Sequence, residues 1–233
     1  GNPKDFDQWS EAGNPGWSYD DVLPYFKKME SWQNGPDAYR GGDGPLNVSE
    51  VSEQLHPLCE NFLSAAQEIG IGLNQDMNGA TQEGVGNYQI TTHKGQRMSS
   101  SRAYLWPIRG RTNLTIIKNA QATRVLIKDK KAYGVEYLKS GKVHEVTASR
   151  EVILSAGSIN SPQLLQLSGV GPKNVLKHFL VPLVHESPAV GENLQDHLGV
   201  SYFYKSKVPT LNDQLRPFLG KIYQGLRYIF TRR

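Results

Sequence analysis

An apolar run at residues 152–154, and the short pattern that follows it, constrain the fold more than any other part of the sequence. The run Val-Ile-Leu is typical of a parallel strand that is buried on both faces. Ala156-Gly157 ends the run with side chains too small to block the close approach of another molecule. Ser161 is a good helix N-cap, Pro162 suits the first helical position, and Gly169 can end the helix. The pattern predicts a buried strand, a glycine turn and a helix whose positive end faces the strand tip.

Further helices are predicted from capping residues and apolar periodicity. One begins at Ser18, where Asp21 completes a capping box, and Pro24 should kink or restart it. An amphipathic helix with a basic outer face is predicted over residues 218–230. Another is predicted over residues 57–69, with an apolar face formed by Leu58, Phe62, Ala65, Ala66 and Ile69.

The middle of the sequence switches to β structure. Lysine-rich turns at residues 128–131 and 139–142 separate three strands, which are expected to form a meander between two further strands. Shorter strands are expected on either side of this region. The predicted strands cover residues 88–92, 114–118, 122–128, 133–138, 143–148, 152–155 and 200–204.

Composition and charge argue against several kinds of function, although they exclude few classes of protein outright. The sequence has 26 Lys and Arg against 22 Asp and Glu, a formal net charge of +4, and its basic residues are spread along the chain. Nucleic-acid binding is therefore not favoured. Cys59 is the one cysteine, so it can form neither an intrachain disulfide nor a thiolate cluster, and an inert, buried thiol is expected. No apolar run approaches the roughly 18 residues that a membrane span needs.

The helix pattern and several other segments resemble a known family. Residues 157–171 are similar to the second signature of the glucose-methanol-choline (GMC) flavin oxidoreductases. The resemblance covers nearly the whole chain and is closest in style to the insect glucose-dehydrogenase-like members. The other similar segments, in the family's order, are residues 16–26, 84–86, 95–105, 113–115 and 190–197.

The resemblance implies a fold class and a division into domains. The expected class is α/β, with part of an FAD/NAD(P)-binding, doubly wound domain and its β-meander over residues 1–198, together with cap segments. Residues 199–233 would begin an antiparallel-sheet substrate domain. The family's N-terminal G-x-G-x-x-G unit and its C-terminal catalytic histidine are not matched here. We therefore expect an internal fragment with no catalytic residue and no metal site, which alone neither holds FAD tightly nor turns over.

Cofactor-binding residues are expected at three places in the chain. Ser155, Ala156 and Gly157 would lie at the carboxyl end of the strand, where doubly wound sheets bind ligands. A tight turn without a ligand is the alternative from spacing alone. The resemblance places Ala122 where relatives hydrogen-bond the adenine ring through the backbone, a contact that alanine can make.

A second candidate group follows a glycine turn near residue 191. Asp196 and His197 could act as a proton-relay pair, because a neighbouring carboxylate raises the basicity of imidazole. Side chains adjacent in sequence rarely converge, and Asn193 and Asp196 are typical turn-capping residues. A structural role of Asn193, Asp196 and His197 around the flavin is therefore the favoured interpretation.

The resemblance also implies an activity for the protein as a whole. FAD would accept hydride at N5 from the CH–OH group of an alcohol or sugar, glucose included, and a quinone or oxygen would reoxidise it. The expected partners are thus a small molecule and an electron acceptor, with no nucleic acid and no membrane span. Extracellular location is suggested only by the insect members. A non-redox lyase of the same fold and a catalytically silent FAD-binding protein remain alternatives.

Overall fold

The computed structural model describes residues 2–231, which form two compact units. One unit contains the chain up to Leu114 and from Phe203 onward, and the other contains Thr115–Tyr202. Both contain helices and small sheets, so the predicted mixed α/β class is confirmed. The division between residues 198 and 199 stays a prediction. None of the helices within residues 2–231 combines the length and the apolar character needed to cross a bilayer.

The first unit contains five helices among its described residues, together with two short strand pairs. β1 and β2 pair in parallel, and β3 and β4 pair antiparallel. A 3₁₀ turn covers Ser52–Gln54 and a π-helical turn covers Ser101–Leu105. The numbered elements are α1 (Pro3–Glu11), α2 (Tyr19–Met29), β1 (Glu30–Trp32), β2 (Leu46–Val48), α3 (Leu58–Glu68), β3 (Thr92–His93), β4 (Gln96–Arg97), α6 (Leu211–Leu215) and α7 (Phe218–Thr231).

The second unit combines a three-stranded meander with two helices. The meander is antiparallel in the order β5-β6-β7, as the lysine-rich turns predict. β8 and β9 form a parallel pair of two residues each. The elements are β5 (Gln121–Lys128), β6 (Lys131–Lys139), β7 (Lys142–Thr147), α4 (Gly157–Leu167), β8 (Val170–Gly171), α5 (Lys173–His178) and β9 (His185–Glu186).

Capping residues place the first two helices. The Ser18 hydroxyl and the Asp21 carboxylate form the predicted capping box of α2, which then runs through Pro24 without restarting. α1 was not predicted, although its signals are present. The Asn2 side chain accepts a hydrogen bond from the backbone of Lys4 and Pro3 is the first helical residue. Short local patterns are thus sufficient to start both helices.

The first unit contains a buried arginine, Arg40. Arg40 is 1% exposed, donates two hydrogen bonds to the Glu30 carboxylate and two to the Asp76 carboxylate, and lies 4.3 Å from the ring centre of Trp32. Burial alone lowers the pKa of the guanidinium, but the hydrogen bonds to Glu30 and Asp76 outweigh it and raise the pKa. The ion pairs therefore keep Arg40 charged inside the unit, a role that the loop composition around it did not predict.

Several predicted strands are not formed. Residues 114–118, 152–155 and 200–204 have no strand, and of residues 88–92 only Thr92 lies in one. Ile153 is 75% exposed, so the expected burial of the run at 152–154 is also wrong. A strand inside a parallel sheet takes its hydrogen bonds from neighbours on both sides, and within residues 2–231 no segment pairs with this run. Apolar composition alone cannot supply those neighbours.

The buried side of α3 also differs from the prediction. Ala66 is buried as predicted, and so is Leu63, which was not assigned to the apolar face, whereas Phe62 and Ile69, which were assigned to it, are 60% and 78% exposed. Cys59 is half-buried on this helix and not fully buried as expected. A mixed apolar pattern can place either of two neighbouring stripes against the core, and the contacts of the folded unit decide between them.

Candidate cofactor site

The candidate site lies at the N-terminal end of α4. Ser155, Ala156 and Gly157 are all exposed there. Gly157 has a φ of +91°, and a β-carbon built on it would have no non-neighbouring heavy atom within 4 Å. No side chain caps the helix at Ala156, so the first-turn N–H groups lack a side-chain acceptor. An open, side-chain-poor helix start with a positive dipole end suits the approach of a phosphate group.

The start of α4 differs from the prediction. The helix begins at Gly157, and Ser161 and Pro162 lie inside it. Ser161 is not the N-cap; its hydroxyl accepts a hydrogen bond from the backbone N of Ala156 at 3.0 Å. Pro162 has no N–H, so the carbonyl four residues earlier loses its usual helical donor. The helix thus starts at the glycine turn, ahead of the serine-proline pair.

The C-terminal end of α4 is buried and attached to the meander. Ser168 accepts a hydrogen bond at its hydroxyl from the Val125 backbone at 2.7 Å and donates one to the Leu164 carbonyl at 2.5 Å. Gly169 has a φ of +83° and follows the helix, as predicted. A β-carbon on it would lie 2.4 Å from the Pro182 carbonyl oxygen, so only glycine fits without rearrangement. This end therefore holds α4 against β5.

α4 also holds the turn that precedes the second group of predicted residues. The Gln166 side-chain nitrogen donates to the Val190 carbonyl at 3.0 Å. Gly191 has a φ of +89°, and a β-carbon on it would lie 2.7 Å from that same nitrogen. The C-terminal half of α4 is thus hydrogen-bonded to both β5 and the 190–191 turn, whereas the start of the helix is exposed.

The predicted residues lie on β5, at the start of α4 and just after the 190–191 turn. Ala122 is exposed on β5, where it pairs with Tyr137. Asn193 has a left-handed backbone, with a φ of +54°. The Asp196 carboxylate accepts a hydrogen bond from the backbone N of His197 at 2.8 Å. That contact joins residues adjacent in the chain and does not use the imidazole.

α4 links β5 to the 190–191 turn, and the three groups lie on or next to these segments. Within residues 2–231, no hydrogen bond joins Ala122, the 155–157 tip and the 193–197 segment directly. Nor do the described residues contain a group of three or more His, Cys, Asp or Glu suited to a metal ion. The arrangement therefore offers backbone groups, small residues and a helix dipole, which are means of binding and orientation.

Comparison with known proteins identifies the family. The family described as GMC oxidoreductase matches residues 1–199 of this chain. The chain belongs to the GMC oxidoreductase family. The resemblance seen in the sequence is thus confirmed, and its motif at residues 157–171 includes the whole of α4.

Curated GMC relatives are similar over almost the entire chain. The chain is 49% identical over 228 residues to an oxygen-dependent choline dehydrogenase from Photobacterium profundum, covering 97% of this chain and 39% of the relative. It is 45% identical to the human mitochondrial choline dehydrogenase, covering 99% of this chain and 39% of that protein. It is 44% identical to an alcohol dehydrogenase [acceptor] from Pseudomonas putida, covering 100% and 43%. The chain therefore spans about two fifths of the length of these relatives.

Solved structures support the same fold. An FAD-dependent oxidoreductase from Chaetomium thermophilum superposes with a TM-score of 0.89 at 30% identity, over 100% of this chain and 43% of that one. A formate oxidase superposes with a TM-score of 0.85 at 28% identity, over 100% and 42%. The curated relatives named here are choline and alcohol dehydrogenases, so the narrower likeness to glucose dehydrogenases is not supported by them.

Two residues that hold α4 in place were not predicted. Ser168 and Gln166 fix the C-terminal half of α4 to β5 and to the 190–191 turn. Ser168 precedes Gly169 in the motif, but a serine near a helix end is usually interpreted as an exposed or capping residue. Only the contact with Val125, 43 residues earlier in the chain, distinguishes its buried role.

Proposed function

We propose that this chain forms part of the FAD-binding wall of an oxidoreductase that oxidises the CH–OH group of a small alcohol. Family membership and the names of the relatives support this activity. The observation that carries the proposal is the open start of α4. Gly157 leaves unobstructed space where a side chain would stand, at a helix end without a side-chain cap.

Each predicted residue has a binding role in this proposal. Ser155, Ala156 and Gly157 line the site of the FAD diphosphate, and the first-turn N–H groups of α4 donate hydrogen bonds to it, because a positive helix end stabilises an anion. The backbone of Ala122 hydrogen-bonds the adenine ring. The segment that contains Asn193, Asp196 and His197 borders the flavin.

The redox chemistry belongs to the cofactor and not to these residues. Bound flavin supplies the acceptor for hydride from the alcohol carbon. The residues of this chain orient the cofactor and limit the access of water, and we assign no catalytic base among them. We place the FAD-binding part in residues 1–198 and the beginning of the substrate domain in residues 199–233.

The names of the relatives favour a hydroxylated ammonium compound or a simple alcohol as the substrate. A sugar such as glucose is the narrower proposal, and no contact within the described residues favours it. Quinone or oxygen is the proposed acceptor, since it must reoxidise the reduced flavin.

A chimera tests the proposal. This chain replaces the matching segment of the Photobacterium profundum relative, and the purified protein is examined for a flavin spectrum and for its bleaching by choline, simple alcohols and glucose without oxygen. We expect a yellow protein that an alcohol bleaches. Gly157→Val should remove most of the FAD, because the side chain fills the open space at the helix start.

Gly141→Val is the matched control. Gly141 also has a positive φ, of +75°, and open space at its β-carbon, but it lies in the β6–β7 turn. A chimera that folds without flavin contradicts the cofactor proposal, as does equal loss of FAD in both variants. A yellow chimera that cleaves cyanohydrins and is not bleached indicates a lyase, and one without either reaction indicates a silent FAD-binding protein. The isolated chain should stay colourless with added FAD.

A further inference from the structure

The turn that precedes α4 has few contacts to fix its shape. Ala156 has φ and ψ angles of −86° and 2°, and Gly157 has a φ of +91°. Ser155, Ala156 and Gly157 are all exposed, so packing does little to hold them. Because glycine adopts positive and negative φ with similar ease, this turn needs a contact of its own to keep one conformation.

Ser161 supplies that contact from inside the helix. Its hydroxyl accepts the hydrogen bond from the backbone N–H of Ala156 at 3.0 Å. Apart from the backbone bonds of α4 itself, no other hydrogen bond among residues 2–231 involves residues 155–157. Helical side chains tilt toward the N-terminal end of their helix, so the fifth residue of α4 can reach back over its first turn.

α4 gives Ser161 a fixed support. Ser161 is half-buried, and the helix that carries it is hydrogen-bonded through Ser168 to the backbone of Val125 on β5. One side-chain hydrogen bond thus ties the C-terminal end of α4 to β5, and a second ties its first turns to Ala156. The turn is therefore positioned by the interior of its unit, although its own residues are exposed.

We propose that Ser161 is a positioning residue for the cofactor, which holds the Ala156–Gly157 turn in the conformation that keeps the start of α4 open for the FAD diphosphate. This inference rests on the proposed function. The Ser161 hydroxyl occupies the Ala156 N–H and leaves the N–H groups of residues 157–159 for the phosphate oxygens. A turn that already has its bound conformation loses less conformational entropy when the ligand binds.

The FAD affinity of the Photobacterium profundum chimera tests the proposal. The dissociation constant is measured by titrating the flavin-free protein with FAD and following flavin fluorescence. Ser161→Ala removes the acceptor of the Ala156 N–H, and we expect FAD to bind about five- to tenfold more weakly. Ser161→Thr keeps a hydroxyl on the same carbon atom, and its dissociation constant should stay within about twofold of that of the unaltered chimera. Failure of threonine to retain the affinity would overturn the proposal.

Ser18→Ala is the matched control for a purely structural role. The Ser18 hydroxyl accepts a hydrogen bond from the backbone N–H of Asp21 at 3.3 Å, so this change removes the same kind of bond at the start of α2. We expect both alanine variants to lose stability in urea unfolding, and only Ser161→Ala to lose FAD affinity. An affinity that falls equally in both variants would overturn the proposal, because it would follow stability and not the turn.

Hydrogen exchange provides a readout that needs no FAD. In the flavin-free chimera, the Ala156 amide should exchange at least about fivefold more slowly than the Gly157 amide after correction for intrinsic rates, and Ser161→Ala should remove the difference. An unprotected Ala156 amide would contradict the proposed contact. Equal FAD binding by Ser161→Ala and the unaltered chimera would contradict this inference alone. An unaltered chimera that binds no FAD contradicts the proposed function and, with it, this inference.

Discussion

A glycine with a positive φ stands at each end of α4, but one is in open space and the other is tightly packed. Gly157 and Gly169 have φ values of +91° and +83°. A β-carbon at Gly157 would meet nothing within 4 Å, whereas one at Gly169 would lie 2.4 Å from the Pro182 carbonyl oxygen and 2.8 Å from a Val184 methyl carbon. The same residue type thus serves two purposes on one helix. Gly169 permits close packing against Pro182 and Val184, and Gly157 leaves room for a ligand.

The difference separates a stability requirement from a binding requirement. At the buried end, Ser168 and Gly169 tie α4 to β5 and to the segment that precedes β9. At the exposed end, no side chain caps the helix. A helix that is held firmly at one end can present its other end at a fixed place without contacts there. Substitutions should therefore act on stability at one end and on ligand binding at the other.

Gly169→Ala is expected to have the largest effect on stability. The added β-carbon is strained by the positive φ and also clashes with backbone, and we expect a loss of roughly 3 to 5 kcal/mol in the free energy of unfolding. Gly157→Ala is the matched comparison, because it adds the same strain without a clash and should cost only about 1 kcal/mol. Urea unfolding of the chain and the two variants measures both values. Similar losses at the two positions would remove the distinction between the ends of α4.

Ser168→Ala should have an intermediate effect. The substitution leaves the buried backbone N–H of Val125 without its acceptor, whereas the Leu164 carbonyl keeps the backbone N–H of Ser168 at 3.1 Å. One unsatisfied buried donor costs about 1 to 3 kcal/mol, and we expect a loss in that range. Hydrogen exchange should accelerate first at Val125. Ser149→Ala, at an exposed serine after β7, is the control and should be nearly neutral; a loss at Ser149 equal to that at Ser168 would contradict the assigned role.

The features predicted correctly from the sequence depend on residues close together in the chain. The capping box at Ser18 and Asp21 and the helix stop at Gly169 were predicted, because each depends on neighbours within a few residues. The meander was predicted from its lysine-rich turns. The α1 start at Asn2 was missed although its signals were equally local. These elements follow from capping and turn chemistry alone.

Features that depend on distant partners could not be predicted. The run at 152–154 has the composition of a buried strand, but a strand also needs neighbours, which no segment of residues 2–231 supplies. The buried role of Ser168 depends on Val125, and that of Arg40 depends on Asp76, 36 residues later. For the candidate site, the open space at Gly157 was expected from the motif, while the scaffold that positions it was not.

The smallest expected effect is on α6, whose start, unlike that of α4, is capped by side chains. α6 begins with a capping box in which the Asp213 carboxylate accepts hydrogen bonds from the backbone and hydroxyl of Thr210, both at 2.8 Å. These bonds, first from the backbone and then from the hydroxyl, lower the pKa of Asp213. Since a lowered folded pKa stabilises α6 only while the carboxylate is charged, the cap should be intact above about pH 4 and lost as the pH falls through the lower folded pKa.

The Thr210 amide resonance reports this titration directly. Its chemical shift should change with an apparent pKa below the ordinary aspartate value, and Asp213→Asn should abolish the change because an amide can cap the helix but cannot ionise. The start of α4 has no side-chain cap, so the Gly157 amide should show no matching transition. A midpoint at or above about pH 4 for Thr210 would mean that the capping bonds do not favour the ionised carboxylate. In that case the side-chain cap of α6 and the uncapped start of α4 would not differ in how they stabilise a negative charge.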